Sequence, residues 1–249
     1  MISRMKPLLS LTLAAACLAS IFQVSAAPSA DDLIKEHLKA IGGVDTHKKF
    51  KTRQMKGVIE IQMMGTSADM TIMSKAPNKQ RTEIDLPGMG KIVEGYDGKV
   101  AWSQNPWTGL IEKTGGQLEQ AKQQADFYSD IELTTRFASW TLKGKETING
   151  KVTDVLEGKT KDGKVEQLYL DEKTHLMLQR KADAETPEGK VSVTTKLDDY
   201  RDVDGIKMPF AINVEAGPSG FKMAVKEVKH GMDLNDTLFA KPAAAAAAK

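Results

Sequence analysis

The sequence predicts a mainly β, α+β fold built on one large, strongly curved antiparallel sheet. About eleven segments alternate apolar and polar residues, the pattern of strands that bury one face. Two further segments have the apolar spacing of amphipathic helices, which would cover the concave side of the sheet. Asp-Gly or Asn-Gly dipeptides, which favour tight hairpin turns, separate several strands: Asp97-Gly98, Asn149-Gly150, Asp162-Gly163 and Asp204-Gly205.

Residues 1–26 have the pattern of a secretory signal peptide. Arg4 and Lys6 give a charged start, and the apolar run over residues 8–22 follows. This run is about 15 residues long, whereas a membrane-spanning helix needs roughly 20. The small residues Val24-Ser25-Ala26 then form a cleavage site. We therefore expect a mature chain that begins at Ala27 and is exported to the periplasm.

The single cysteine, Cys17, lies inside this leader. The alternative to cleavage at Ala27 is a lipoprotein signal, with lipid attached to Cys17 and the protein anchored to a membrane. Ala14 occupies the position three before the cysteine, where a lipoprotein signal favours Leu, and the apolar run continues past Cys17. A mature chain without cysteine excludes thiol catalysis and thiolate metal sites.

The charge of the predicted mature chain is balanced. Two of the 35 Lys and Arg residues lie in the leader, so the remaining 33 equal the 33 Asp and Glu residues. Balanced, interspersed charge gives no reason to expect nucleic acid or an anionic membrane surface as partner. We expect one domain over residues 27–242 and an Ala-rich low-complexity tail over residues 243–249.

The two predicted helices each have one apolar stripe. The first runs from Ser29, a good N-cap, to Ile41, and Gly42-Gly43 ends it. The second runs from Gln117 to Tyr128 and interrupts the strands in the middle of the chain. Neither helix has another apolar surface on which to bury its stripe, so both should lie on the sheet.

The predicted strands form a meander on each side of the second helix. The clearest alternation is Ile206 to Val214. Before the helix, five strands are predicted: Arg53–Met64, Ala68–Ala76, Lys79–Asp85, Met89–Tyr96 and Lys99–Gln104.

The sequence contains no recognisable catalytic or metal-binding pattern. No two of its four histidines have metal-ligand spacing, and the nucleophile-elbow, zincin and P-loop motifs are absent. Neighbouring acids such as Asp198 and Asp199 face opposite sides of a strand. We therefore expect no enzyme activity, no catalytic residue, no metal and no cofactor.

Methionines on the inward faces of the predicted strands suggest an apolar ligand site. Ten of the twelve methionines belong to the mature chain, and flexible thioether side chains suit a surface that receives variable ligands. The alternative is ordinary core packing, which also applies to Trp102. The predicted ligand-binding residues are Met55, Ile59, Met63, Met70, Ile72, Trp102, Met208, Phe210 and Met223.

The stretch from Lys75 to Gly109 resembles exported bacterial proteins of the outer-membrane lipoprotein-sorting (LolA/LolB-like) family. Members of this family often contain K-A-P-x-K-x-R, then a turn with glycine, then G-x-D-G-x-x-A-W. Later parts of the chain match as well, at 144–146, 149–150, 200–201, 204–205 and 209–210. The matching residues in the first stretch are Lys75, Ala76, Pro77, Lys79, Arg81, Gly95, Asp97, Gly98, Ala101 and Trp102.

The resemblance implies an open, unclosed β-barrel with helices as a lid over an apolar cavity. It implies a carrier that holds acyl chains of a lipid or lipoprotein and moves them towards the outer membrane. A membrane protein that delivers or receives the cargo is an expected partner, and we expect a monomer. The predicted lid or head-group contacts are Arg81, Leu118 and Tyr128.

A second hypothesis is a non-enzymatic periplasmic sensing or scaffold module. Such a module would bind a protein partner through a sheet edge or through the lid, with no lipid ligand. A hydrolase is a third class, which the missing nucleophile and base motifs argue against.

Overall fold

The computed structural model describes residues 28–186, 189–217 and 220–243. The predicted signal peptide and nearly all of the predicted Ala-rich tail lie outside these ranges. Within them, none of the helices has the length and apolar character needed to cross a membrane.

The fold is one antiparallel sheet of thirteen strands, with order β6-β5-β4-β3-β2-β1-β13-β12-β11-β10-β9-β8-β7. Four helices accompany it: α1 (Ala30–Ala40), α2 (Val44–Lys49), α3 (Gly115–Ala125) and α4 (Leu133–Arg136). The strands are β1 (Thr52–Ile61), β2 (Thr66–Lys75), β3 (Lys79–Leu86), β4 (Gly90–Tyr96), β5 (Ala101–Asn105), β6 (Gly109–Lys113), β7 (Phe137–Ile148), β8 (Lys151–Thr160), β9 (Val165–Asp171), β10 (Met177–Thr186), β11 (Gly189–Val203), β12 (Ile206–Glu215) and β13 (Phe221–His230).

The open curved sheet expected from the sequence is confirmed, with β6 and β7 at its two edges. The sheet has thirteen strands rather than about eleven. Strand β6 was not predicted, because its five residues are too few to show a clear alternation. The second helix ends at Ala125, not at Tyr128.

The inner face of the sheet is the face that carries Met55, Ile59, Met70 and Met223. On β1, Met55 is paired with Ile72 of β2, and Ile59 is paired with Met223 of β13. Side chains two residues apart on a strand share a face, so the register extends this face across the sheet. The large apolar clusters and the helices that pack on them lie on the inner face.

Helix α1 covers one end of the inner face. The Ser29 side chain caps it by accepting a hydrogen bond from the Asp32 N–H at 3.1 Å, as the sequence predicted. Its buried stripe of Leu33, Ile34 and Leu38 packs against side chains of β7, β8 and β9. The contacted residues on these strands are Phe137, Leu156, Leu168 and Leu170.

The connection from α1 to α2 lies beside β12, where the pairing of β12 with β13 is short. These two strands are paired only over residues 211–214 and 221–224. Beyond this point, the Lys207 N–H donates to the Ile41 carbonyl oxygen at 3.1 Å. Gly42 follows with φ +110°, and a β-carbon there would lie 2.2 Å from the Gly205 carbonyl oxygen. Glycine at position 42 therefore lets α1 approach the sheet.

Replacing Gly42 by Ala should destabilise the protein. The new methyl group would meet the Gly205 backbone, and the backbone angle disfavours L-residues, so we expect a loss of about 1–3 kcal/mol or more in the free energy of unfolding. Gly116→Ala is the control, because a β-carbon there meets no atom within 4 Å and alanine favours helix by up to ~1 kcal/mol. Urea unfolding measures both, and equal midpoints would contradict this account of Gly42.

Candidate functional site

A methionine-rich cluster occupies the inner face where β1, β2, β12 and β13 meet. Met70, Met208 and Met223 are buried, with 6%, 7% and 7% of their area exposed. They pack with Phe210 and Ile59 in one apolar cluster. Thioether side chains have three rotatable bonds and fill irregular space, so this packed surface can rearrange.

Most of the predicted ligand-binding residues come together in this cluster. The structure adds Leu86, Ile206 and Val225, which are buried in the same cluster but which the sequence analysis did not select. Their inward position on alternating strands was the available signal. The predicted residues in the cluster are Met55, Ile59, Met70, Ile72, Met208, Phe210 and Met223.

Met63 lies outside this cluster. Strand β1 ends at Ile61, and a 3-10 turn over Gln62–Met64 follows. Gly65 then takes the left-handed conformation with φ 58°. The Met63 side chain is 71% exposed at the tip of this turn, because the alternation that placed it on the inward face stops two residues earlier.

Trp102 and Arg81 lie on the outer face of the sheet. Arg81 is paired with Gly95, and Gly95 with Trp102, one residue out of phase with the inner-face positions. Trp102 is fully buried, and its indole Nε1 donates to the Phe239 carbonyl oxygen at 2.9 Å. Trp102 is therefore a packed core residue, which was the alternative to a ligand-binding role.

A C-terminal segment, residues 231–243, packs over this part of the outer face as a strap. Arg81 donates from Nη1 to the Leu238 carbonyl oxygen at 3.1 Å and pairs with Glu83 at 2.7 Å. Asp236 pairs with Lys75 at 2.7 Å and with Lys79 at 2.6 Å. Hydrogen bonds from these two ammonium groups lower the pKa of Asp236 to about 2. Arg81 therefore holds the strap and does not reach the helices on the inner face.

Helix α3 lies on the inner face at β4 and β5, with little of its surface buried. Ala125 is its only buried residue, and it packs with Tyr96 and Ala101. Leu118 packs against the same cluster and is partly buried. Leu118 therefore lies on the side of α3 that faces the sheet, and its role as a lid contact stays a prediction.

The α3–α4 segment, residues 126–132, continues across the base of the inner face. The Tyr128 hydroxyl donates to the Phe50 carbonyl oxygen at 3.1 Å and accepts from Lys51 Nζ at 2.9 Å. Ile131 joins the cluster beneath α1. The segment thus links α3 to the apolar cluster beneath α1.

Arg53 is an inner-face residue that the sequence analysis missed. It precedes Met55 by two residues on β1, and its guanidinium lies 5.5 Å from the ring centroid of Phe127 in the α3–α4 segment. Burial lowers the pKa of Arg53, and the Asp130 carboxylate opposes this effect. A cation in phase with the inward methionines was the signal that could have revealed it.

Three of the four histidines have side-chain contacts with the rest of the fold. His37 Nδ1 lies 2.8 Å from the His175 carbonyl oxygen, and burial lowers the pKa of His37. His47 Nε2 lies 3.1 Å from the Ile41 carbonyl oxygen. His230 Nδ1 lies 3.0 Å from the Asp204 carboxylate. Throughout the described ranges, histidine and acidic side chains form no group of three that could hold a metal ion.

A groove of about 580 Å³ crosses the outer face near the turn between β7 and β8. Its lining mixes charged and apolar groups and includes Ile212 and Met223, which also belong to the methionine cluster. The residues that line it include Val58, Lys151, Lys196, Ala211, Lys222 and Ala224.

The overall architecture is shared with several bacterial proteins of known structure. A DUF1329 family protein from Desulfovibrio piger is 14% identical with a TM-score of 0.58, covering 86% of this chain and 98% of its own. A LolA superfamily protein from Nitrosomonas europaea is 15% identical with a TM-score of 0.56, covering 86% and 99%. The fold is LolA-like.

A domain from Vibrio parahaemolyticus described as an outer membrane lipoprotein-sorting protein gives a similar result. It is 12% identical, with a TM-score of 0.56 and coverage of 86% of this chain and 96% of its own. No protein-family model matches the chain. No curated protein matches it either. The LolA-like fold that the sequence resemblance implied is confirmed by these structures.

Replacing Trp102 by Phe should lower stability by about 1 kcal/mol, because the hydrogen bond to the Phe239 carbonyl is lost. Binding of a fluorescent fatty acid should stay the same, since Trp102 faces the strap. Thermal unfolding and probe titration measure the two effects. A loss of probe affinity at unchanged stability would place Trp102 at the ligand instead.

Amide hydrogen exchange should be faster in α3 than in β12. Helix α3 buries only Ala125, whereas β12 contributes Ile206, Met208 and Phe210 to the main cluster. Elements with little buried apolar surface open at low cost. We expect protection factors in α3 to be lower by about tenfold or more. Equal, strong protection in both elements would indicate a fixed helix.

Proposed function

We propose that this protein is a non-enzymatic periplasmic carrier that holds the acyl chain of a lipid or lipoprotein on its inner face. The observation that carries the proposal is the methionine cluster, in which Met70, Met208 and Met223 are buried on β2, β12 and β13 of a LolA-like sheet. A fold alone does not define a function. The cluster supplies the apolar and adaptable surface that an acyl chain requires.

The lid supports the proposal because it is weakly attached. Helix α3 contributes one buried residue, and polar contacts of Tyr128 hold the segment that follows it. A lid of this kind opens at low cost and exposes the inner face. The methionines are buried within one packed apolar cluster, so an entering chain takes the place of contacts between side chains.

The periplasmic location rests on the signal peptide predicted over residues 1–26. The lipoprotein-sorting description of the relative from Vibrio parahaemolyticus fits cargo that moves towards the outer membrane. A membrane protein that delivers or receives the cargo completes this route. We propose that the carrier acts as a monomer.

Mass spectrometry of organic extracts from purified protein tests the carrier directly. We expect lipid to copurify in a defined ratio to protein. A clean extract together with a specific protein partner would support the sensing or scaffold module instead.

An intact-mass measurement on the same preparation should show a chain that starts near Ala27, whereas a diacylated Cys17 would make the protein membrane-anchored.

A pair of matched substitutions tests the position of the ligand. Met70→Trp places a larger side chain in the buried cluster, where overpacking costs about 1–3 kcal/mol, and should weaken binding of a fluorescent fatty acid by about tenfold or more. Met63→Trp introduces the same side chain at an exposed turn and should change neither the stability nor the affinity for the fluorescent fatty acid. Probe affinity that is equal in both variants and in the parent would remove the inner face as the ligand site.

A further inference from the structure

A row of four polar side chains crosses the inner face beside the methionine cluster. Arg53 is paired with Ser74, Ser74 with Gln80, and Gln80 with Tyr96, on four neighbouring strands. Met55 follows Arg53 by two residues on the same face, about 7 Å further along the strand. The polar row therefore borders the apolar surface proposed to hold the acyl chain.

These four side chains have unused hydrogen-bonding capacity. Throughout the described parts of the chain, none of them forms a side-chain hydrogen bond or an ion pair with another described residue. Ser74 and Tyr96 are each only 4% exposed, and Arg53 and Gln80 are half-buried. Buried polar groups normally have partners, because an unmade hydrogen bond costs about 1–3 kcal/mol.

The polar atoms of the row are nevertheless not fully enclosed. The fully enclosed polar side-chain atoms that form no hydrogen bond, within the described ranges, belong to Arg136, Glu166, His175 and Asn213. No atom of the polar row is among them, so its donors keep access to space beside the sheet. Helix α3 and Phe127 cover the row from above.

Arg53 is the strongest donor of the row and the residue with the most unused hydrogen-bond donors. Its contacts are the face of Phe127, at 5.5 Å, and the field of Asp130, which lies beyond ion-pair distance. A contact with an aromatic face contributes about 0.5–2 kcal/mol and uses none of the guanidinium N–H donors as hydrogen bonds, so these remain available to a ligand. Burial lowers the pKa of Arg53, since it disfavours the charged form.

The carboxylates nearby do not cancel this positive charge by direct contact. Glu94 lies on the same face, two residues before Tyr96, and is paired with Lys113 at 2.8 Å. Asp130 acts on Arg53, His37 and Tyr200 through its field. An anion placed against Arg53 would therefore meet a cation with no directly bound counter-charge.

We propose that the polar row binds the anionic head group, a carboxylate or a phosphate, of an amphiphile whose chain lies on the methionine cluster. This inference rests on the proposed function and specifies its ligand. The planar guanidinium of Arg53 matches the oxygen pair of a carboxylate or phosphate. Ser74 and Gln80 supply further donors on the adjacent strands. The lid then closes over head group and chain together.

The test compares two ligands that differ only in the head group. The mature chain is titrated with hexadecanoate and with hexadecanol at pH 8, where the acid is ionised. We expect hexadecanoate to bind about tenfold more tightly or better, because charge-assisted hydrogen bonds contribute more than neutral ones. Inorganic phosphate alone should bind far more weakly than hexadecanoate, since it lacks the chain.

Two arginine variants locate the effect. Arg53→Gln should remove the preference for hexadecanoate and leave hexadecanol affinity within about twofold. Arg81→Gln is the matched control, because Arg81 also lies 5.5 Å from an aromatic ring, that of Trp102, but on the outer face; it should keep the preference. Arg53→Gln without ligand should unfold within a few degrees of the parent, since Arg53 forms no hydrogen bond or ion pair with another described residue.

Ser74→Ala provides a second variant that leaves the charge in place, and it should reduce the preference for hexadecanoate about two- to fivefold.

Equal affinity of the parent for acid and alcohol would overturn the head-group site and leave the carrier intact. Equal weakening of both ligands by Arg53→Gln would also overturn it, as would phosphate binding as tight as that of hexadecanoate. Absence of binding for both long-chain ligands would instead remove the carrier proposal and this inference with it.

Discussion

The burial of a single sheet face is the constraint on which the rest of the structure depends. Thirteen strands present one continuous inner face, and alternation places the apolar side chains of each strand on it. Each fully buried Met or Leu side chain contributes about 1.5–3 kcal/mol, so this face must be kept from water. The helices cover only its two ends, at β7–β9 and at β3–β5. The central strands must bury their inner side chains by curvature of the sheet.

The covering of the inner face by two separate helices has a functional consequence. Helix α1 is anchored firmly, by a buried stripe and by Gly42 against the β11–β12 turn. Helix α3 itself is anchored weakly, and the segment that follows it is held by the hydrogen bond of Tyr128 and by the buried side chains of Phe127 and Ile131. Helices α1 and α3 therefore differ in the free energy needed to move them away from the sheet. The weakly anchored α3 lies over this end of the inner face, beside the methionine cluster, so the proposed ligand entry and the proposed head-group site share one place.

Much of the fold could be predicted from the sequence because it depends on local patterns. The period-two alternation gave most strands and their inward residues, and Ser29 with Gly42 marked both ends of α1. Features that depend on cross-strand register were not accessible. Trp102 and Arg81 lie on strands that were predicted, but their face is fixed by pairing through Gly95. Met63 fell on a turn because β1 ends two residues before it.

The predicted site was incomplete for a related reason. A methionine criterion selects adaptable apolar residues and passes over charge, so Arg53 was missed although it is in phase with Met55. The strap is also invisible to local patterns, because it connects Trp102 to Phe239, which lie 137 residues apart. A search for polar residues in phase with an apolar face would have found the row of Arg53, Ser74, Gln80 and Tyr96.

Photo-crosslinking with a fatty acid that carries a diazirine on its chain tests the central claim most directly. After irradiation of the mature protein, peptide mapping identifies the labelled residues. The account predicts labels on the inner face at Met70, Met208 and Phe210, which excess unlabelled fatty acid abolishes. Labels confined to the outer-face groove at Val58, Ala211 and Ala224 would contradict it.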